Sequence, residues 1–242
     1  MSRVYLVRHG QAGTRKAYDS LSDLGKRQAR LLGEYFVSEG LQFSAAYRGA
    51  MVRQAQTGAE VQAAYHDAGL PFPEIELENR WNEFDLDHIY KALAPQLAAA
   101  DPQFQRDYEE MAALARAAAD QHGAGVNRRW MPCDIKIVEA WLRATHPYDG
   151  ESWQTFRSRV ADNKSHLGRA EKDADIVIFT SATPIGVWAA LTMDVVDERA
   201  MKLAGVVQNA SYTVIRLHDE QLRLHTFNAV PHLTSADLRT YR

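Results

Sequence analysis

The chain of 242 residues holds one cysteine, Cys133. An internal disulfide is therefore impossible, which fits a reducing compartment. No apolar run approaches the roughly 20 residues needed to span a bilayer, so no membrane partner is expected. There is no basic block and the net charge is −3, which makes nucleic acid a poor partner. A site for an anion has to be built from local arginines. Internal repeats and disordered tracts are also missing. Met1-Ser2-Arg3-Val4 passes straight into a strand pattern, so no signal peptide is expected and a cytoplasmic location is. What is there is ordinary for a soluble globular protein: 46% hydrophobic and 24% charged residues. The length suits one large domain, or a core with a sizeable insertion.

Along the chain, Val4–Val7 reads as a strand and residues 12–21 as a loop. Ser22 is placed to cap a helix whose apolar side is Leu24, Ala29, Leu31, Leu32 and Phe36. A short strand over Phe43–Tyr47 and a helix from Arg53 to about Ala64 follow, and Glu74–Glu78 suits another short strand. From about Asp87 to Leu142 the chain turns alanine-rich, with helices expected over Tyr90–Ala99, Pro102–Gln121 and Ile135–Ala144. This segment reads equally as a helical insertion beside the sheet or as extra helices that complete the core. A helix following Ser152 and running to about Leu167 precedes the clearest buried strand, Ile176–Phe179. The next helix is expected to start with Thr183 as N-cap and Pro184 in its first turn. Ser211–Leu217 and Gln221–Phe227 suit a hairpin around His218-Asp219-Glu220. Strands alternating with helices predict an α/β fold in three layers.

The most informative run is Leu6-Val7-Arg8-His9-Gly10. A buried strand ends there in an arginine, an imidazole and a glycine, and open α/β sheets bind ligands at the carboxyl ends of their strands. Arginine offers a fixed fork of donors suited to phosphate. A neutral imidazole is a nucleophile largely free at pH 7. Taken alone, this is as well explained by a strand end with an incidental histidine. Further pieces follow in order: Leu21-Ser22-Asp23-Leu24-Gly25-Lys26-Arg27-Gln28-Ala29, then Arg53-Gln54-Ala55-Gln56-Thr57, then Trp81-Asn82-Glu83-Phe84, then Gly150-Glu151-Ser152 with Phe156 and Arg159.

From Val4 to about Leu233 this series resembles the histidine phosphatase superfamily, the phosphoglycerate mutase-like family. The likeness is weakest in the helical segment. It implies a three-layer α/β/α fold around a mixed, mostly parallel sheet. Residues 1–242 would form a single domain of this family, with a helical insertion or lid at about 87–149. It also implies roles: His9 as the nucleophile that takes the phosphoryl group, Arg8 and Arg53 as its clamp, and Glu83 as the general acid. The implied partner is a small phosphorylated substrate, selected within the insertion.

The chemistry is coherent on these residues. Phosphoryl transfer needs positioning and charge stabilisation more than covalent assistance. Two guanidinium groups supply both and keep His9 unprotonated, so neither metal nor other cofactor is required. Trp81 and Phe84 beside Glu83 suggest an apolar setting that raises its pKa; Asp85 and Asp87 compete for its role.

One position departs from the family pattern. A second histidine and a glycine usually follow the last core strand, and here Ser181 and Ala182 stand in their place. A serine carries no positive charge but donates one hydrogen bond, so Ser181 and Ala182 are expected to bind phosphate with the first turn of the next helix. His88 or His146 reaching in from the insertion is an alternative. Arg128-Arg129 is expected to be solvated surface charge, and Trp130, Trp141, Trp153 and Trp188 to be packing residues. A metal-independent phosphatase working through phosphohistidine is the expected function. A phosphoglycerate-type mutase and a slow phospholigand-binding protein remain as alternatives.

Overall fold

The computed structural model describes residues 2–13, 19–120, 132–167, 173–218 and 221–241. Arg128, Arg129, Trp130, Asp219 and Glu220 lie outside the described residues. The elements run β1 (Ser2–Arg8), α1 (Asp23–Ser38), β2 (Ala45–Arg48), α2 (Val52–Asp67), β3 (Ile75–Leu77), α3 (Leu86–Ala100), α4 (Pro102–Asp120), α5 (Pro132–Leu142), α6 (Trp153–Ala161), α7 (Asn163–Leu167), β4 (Asp175–Thr180), α8 (Ala182–Thr192), α9 (Asp197–Val206), β5 (Tyr212–His218) and β6 (Gln221–Ala229). Among the described residues, no helix is long and apolar enough to cross a membrane.

The strands form one six-stranded sheet in the order β3-β2-β4-β1-β5-β6. The first four are parallel; β5 pairs antiparallel with β1, and β6 antiparallel with β5. This is the mixed, mostly parallel α/β sheet expected. β1 and β4 are buried almost throughout, as central parallel strands are. Their side chains alternate between faces. Tyr5, Val7, Val177 and Phe179 pack with Leu32 and Phe36 of α1 and Val61 and Tyr65 of α2. On the opposite face Val4, Leu6, Ile176 and Ile178 are fully buried. Burial of α8 is nearly complete, and it carries Ile185, Val187, Trp188 and Ala189.

The chain divides into two compact units, Met1–Glu83 with Arg159–Arg242, and Phe84–Ser158. The first holds every strand. The second holds α3, α4, α5 and most of α6. Its limits are wider than residues 87–149 because aromatic residues from both ends join one cluster. Phe84 lies 4.7 Å from Trp141 between ring centres, and Trp141 meets Trp153 edge-on at 5.5 Å. The Trp141 indole N–H donates to Glu151 O at 2.8 Å. Trp141 and Trp153 are thus core residues, and Trp188 is too, donating to Val160 O at 2.9 Å.

Three local readings are corrected. The helix expected to follow Ser152 and run to about Leu167 is two: α6 ends at Ala161 and α7 starts at Asn163. The Asn163 side-chain amide donates to Val160 O at 3.1 Å, competing with the backbone ladder. α8 starts at Ala182 with Ser181 at the N-cap, not at Pro184 with Thr183 as cap. The Thr183 N–H is met by a carboxylate from another segment, Glu83 Oε2, at 3.1 Å, so a local cap is not required. Finally, α9 was not anticipated. Its signal was present in Asp197 and Glu198 of the first turn, where acidic residues favour the helix dipole.

Candidate active site

β1 ends at Arg8, and His9 follows it out of the sheet. The His9 N–H donates to Thr180 O at 2.9 Å, continuing the parallel register in which Arg8 faces Thr180. The His9 carbonyl accepts from Ala210 N and from the Asn209 side-chain amide, both at 3.2 Å. Gly10 N donates to Thr57 Oγ1 at 3.0 Å, and Gln11 N to Gln28 Oε1 at 2.8 Å. Gln28 and Thr57 belong to the two sequence motifs, and each grips this loop. Gln56 does related work, taking Leu21 N at 2.7 Å. Ser22 caps α1 as expected, accepting from Gly25 N at 3.0 Å.

The need for glycine here is a close approach of two backbones. A Cβ on Gly10 would stand 2.3 Å from Gly25 O, and one on Gly25 would stand 2.1 Å from Gln11 O. Any side chain at either position pushes the nucleophile loop off α1.

His9 is buried at 5% exposure. Its Nδ1 lies 2.8 Å from the Gly10 carbonyl. A carbonyl only accepts, so Nδ1 carries the proton and Nε2 is left with its lone pair. The Arg53 Nε–H points at that nitrogen from 3.1 Å. Burial above all, then the Arg53 and Arg8 guanidinium groups, hold His9 well below its ordinary range, with the Gly10 contact opposing weakly. The result is a neutral imidazole with its basic nitrogen facing cationic groups.

Arg53 stands in the first turn of α2 and is itself buried. It pairs with Asp19 Oδ1 at 3.0 Å, and Asp19 also takes Val52 N at 3.2 Å. Arg8 is buried as well, and its guanidinium donates to the Val207 carbonyl. Glu83 is half-buried and bonded to the first turn of α8 through Thr183 N. Its setting is thus a polar contact at a helix start, not only the apolar neighbours inferred from sequence. Of its rivals, Asp85 is committed to capping α3, accepting from His88 N at 2.9 Å, and Asp87 is exposed.

Ser181 is 1% exposed. Its hydroxyl makes no capping bond to α8 and instead accepts from Gln54 Nε2 at 2.9 Å. Ala182 is the first residue of that helix. The structure therefore brings Arg8, His9, Arg53, Glu83, Ser181 and Ala182 together in the sheet-bearing unit. His88 and His146 are engaged in the other, His88 with Asp149 at 3.8 Å and Tyr148, and His146 with Thr145 Oγ1 at 2.9 Å. Gln54 was missed from sequence. It lies between Arg53 and Gln56-Thr57, and spacing says nothing of what faces it.

The geometry defines a class: an α/β protein with two buried arginines beside a neutral histidine at the carboxyl end of a central strand. The chain matches the family profile of the histidine phosphatase superfamily (branch 1) over residues 4–141 and 131–230, and belongs to that family. Among solved structures it resembles Bacillus stearothermophilus YhfR (TM-score 0.63, 18% identity, 96% of this chain and 99% of that one). It also resembles a putative alpha-ribazole-5'-P phosphatase from Escherichia coli (TM-score 0.62, 16% identity, 94% and 96%) and a phosphoglycerate mutase from Bacillus anthracis (TM-score 0.57, 18% identity, 96% and 94%). At these identities the likeness is one of fold. No curated protein sequence matches the chain.

Proposed function

We propose that the protein is a metal-independent phosphomonoesterase that works through a phosphohistidine. The observation that carries this reading is the state of His9. Its Nδ1 proton is held by the Gly10 carbonyl and its Nε2 is free of a proton and flanked by Arg53. In the first step the Arg53 Nε–H, which meets the Nε2 lone pair in the free protein, shifts its hydrogen bond to a phosphoryl oxygen; Nε2 then attacks phosphorus and the bond from phosphorus to the ester oxygen breaks. Glu83 gives the departing oxygen a proton. In the second step water attacks the phosphohistidine, Glu83 takes the water proton, and inorganic phosphate leaves with His9 restored. Arg8 and Arg53 hold the equatorial oxygens, where the charge stays throughout. Ser181 and the Ala182 N–H bind a further oxygen at the start of α8, where the helix dipole favours an anion.

A panel of small phosphate esters tests the reading. Wild type should release phosphate from at least one of them, with a transient acid-labile phosphohistidine, and His9→Ala should not. Equal release by the two proteins would end this proposal.

Two alternatives each have an observation behind them. The family includes mutases, and one of them shares the fold. A mutase would return the phosphoryl group to bound product, which a coupled assay primed with bisphosphoglycerate detects. Ser181 is a weaker electrostatic donor than an imidazolium, which favours a slow, ligand-binding protein. Tight vanadate binding without any phosphohistidine would identify that case.

A further inference from the structure

We infer that Gln54 is a positioning residue for this site. Its side-chain amide takes a lone pair of Ser181 Oγ and thereby turns the Ser181 hydroxyl proton towards the phosphoryl oxygens held over His9. The inference rests on the phosphoryl-transfer reading above and adds a residue to it.

The orientation of the Gln54 amide is settled by its other partners. Its nitrogen also lies 3.3 Å from the Trp81 carbonyl, which can only accept. Its oxygen lies 3.3 Å from Met51 N, which can only donate. A flipped amide would face acceptor to acceptor and donor to donor. Gln54 Nε2 therefore donates to Ser181, and the hydroxyl must send its own proton elsewhere.

Two nearby protein acceptors already receive hydrogen bonds. The Trp81 carbonyl already receives Thr180 Oγ1 at 2.7 Å besides Gln54. Glu83 Oε2 receives Thr183 N. Among the described residues Ser181 donates to none, although it is 1% exposed. A buried hydroxyl proton without an acceptor is unfavourable, and a phosphoryl oxygen is an acceptor only. Ser181 is also in the right place. It follows Thr180, whose carbonyl receives His9 N–H, so His9 and Ser181 leave adjacent parallel strands side by side.

Gln54 is built into this position. It is fully buried, and a Cβ on Gly49 would stand 2.1 Å from its Oε1. The absence of a side chain at residue 49 is what leaves room for the amide.

The test is a double-mutant cycle on the full chain. Gln54→Met keeps volume and removes the donor; Ser181→Ala removes the hydroxyl. Ser181→Ala should lower kcat about 10²-fold, as loss of one preorganised donor does. Gln54→Met should lower it about tenfold, the scale of one hydrogen bond, with KM little changed. The double variant should be no slower than Ser181→Ala, because Gln54 then has nothing to orient. Wild-type kcat in folded Gln54→Met, or losses that multiply in the double variant, would overturn the inference. If Gln54→Met does not fold, Gln54→Glu serves, since it is isosteric and its carboxylate draws the Ser181 proton away. The same cycle in vanadate affinity separates the two failures. If wild type proves no faster than His9→Ala, the phosphatase reading fails. Gln54 stands or falls by whether both single variants weaken vanadate binding without multiplying.

Discussion

The carboxyl ends of β1 and β4 lie side by side, and they are secured differently. At the end of β1, His9, Gly10 and Gln11 are gripped by Asn209, Thr57 and Gln28 from three separate segments. At the end of β4, Ser181 is met by the amide of Gln54, and the helix that follows is capped at a distance by Glu83. The difference follows from what each end has to do. A nucleophile must sit within a fraction of an ångström of its attack geometry, so its backbone is fixed many times over. A group that donates one hydrogen bond needs only its hydroxyl aimed.

The largest effect should come from the β1 end. Gly10→Ala places a methyl group against the Gly25 carbonyl, at 2.3 Å. Backbone cannot yield as a flexible side chain does, and overpacking of this kind costs about 3 kcal/mol or more. Thermal melting should show a large loss of stability, and phosphatase activity should go with it. A folded, active Gly10→Ala would show that the loop is less tightly held than its contacts indicate.

The β4 end should respond to a paired change but not to a single one. Ser181→His alone drives an imidazole into the Gln54 amide, now 2.9 Å from Oγ, and should lower kcat. Ser181→His with Gln54→Ala makes room for the ring and supplies a donor able to carry charge. That pair should raise kcat above wild type by up to about 10²-fold. A gain from Ser181→His alone would mean that Gln54 does not occupy the space.

These two ends also divide what the sequence made legible. The strand that ends in Arg8-His9-Gly10, the Ser22 cap and the alternation of strands and helices were readable because apolar periodicity and capping act locally; the mixed sheet came from the resemblance to the family. Gln28 and Thr57 were visible as motif residues, although their work on the Gln11 and Gly10 backbone was not. Gln54, Asn209 and the capping of α8 by Glu83 were hidden, since each joins segments far apart in sequence. For the same reason Thr183 was misread as a cap: the acceptor for its N–H lies 100 residues away.

A smaller effect is expected from Thr57→Val, which keeps shape but removes the acceptor of Gly10 N. The stranded N–H should cost about 1–3 kcal/mol. A fall in kcat larger than the fall in stability explains would tie that loss to the placement of His9. Equal falls would make Thr57 a packing residue.

The last difference concerns protons. His9 at the β1 end titrates and Ser181 at the β4 end does not. Only neutral His9 can attack, and its pKa is held well below the ordinary value of 6.5. The acid limb of kcat/KM should therefore lie well below pH 6.5; an acid limb centred there would contradict the buried, arginine-flanked setting. The same shift has a sign in stability. Between the folded pKa and about 6.5 the unfolded chain binds a proton at His9 that the folded chain does not. Stability thus falls as pH drops through this window, and His9→Ala should reduce that slope, leaving the part contributed by His232, which burial holds at a pKa of about 4. In the Ser181→His, Gln54→Ala pair, the new imidazole works when protonated, so activity should fall as pH rises past its pKa. The variant's profile would then carry an alkaline limb set by residue 181, beside the acid limb set by His9.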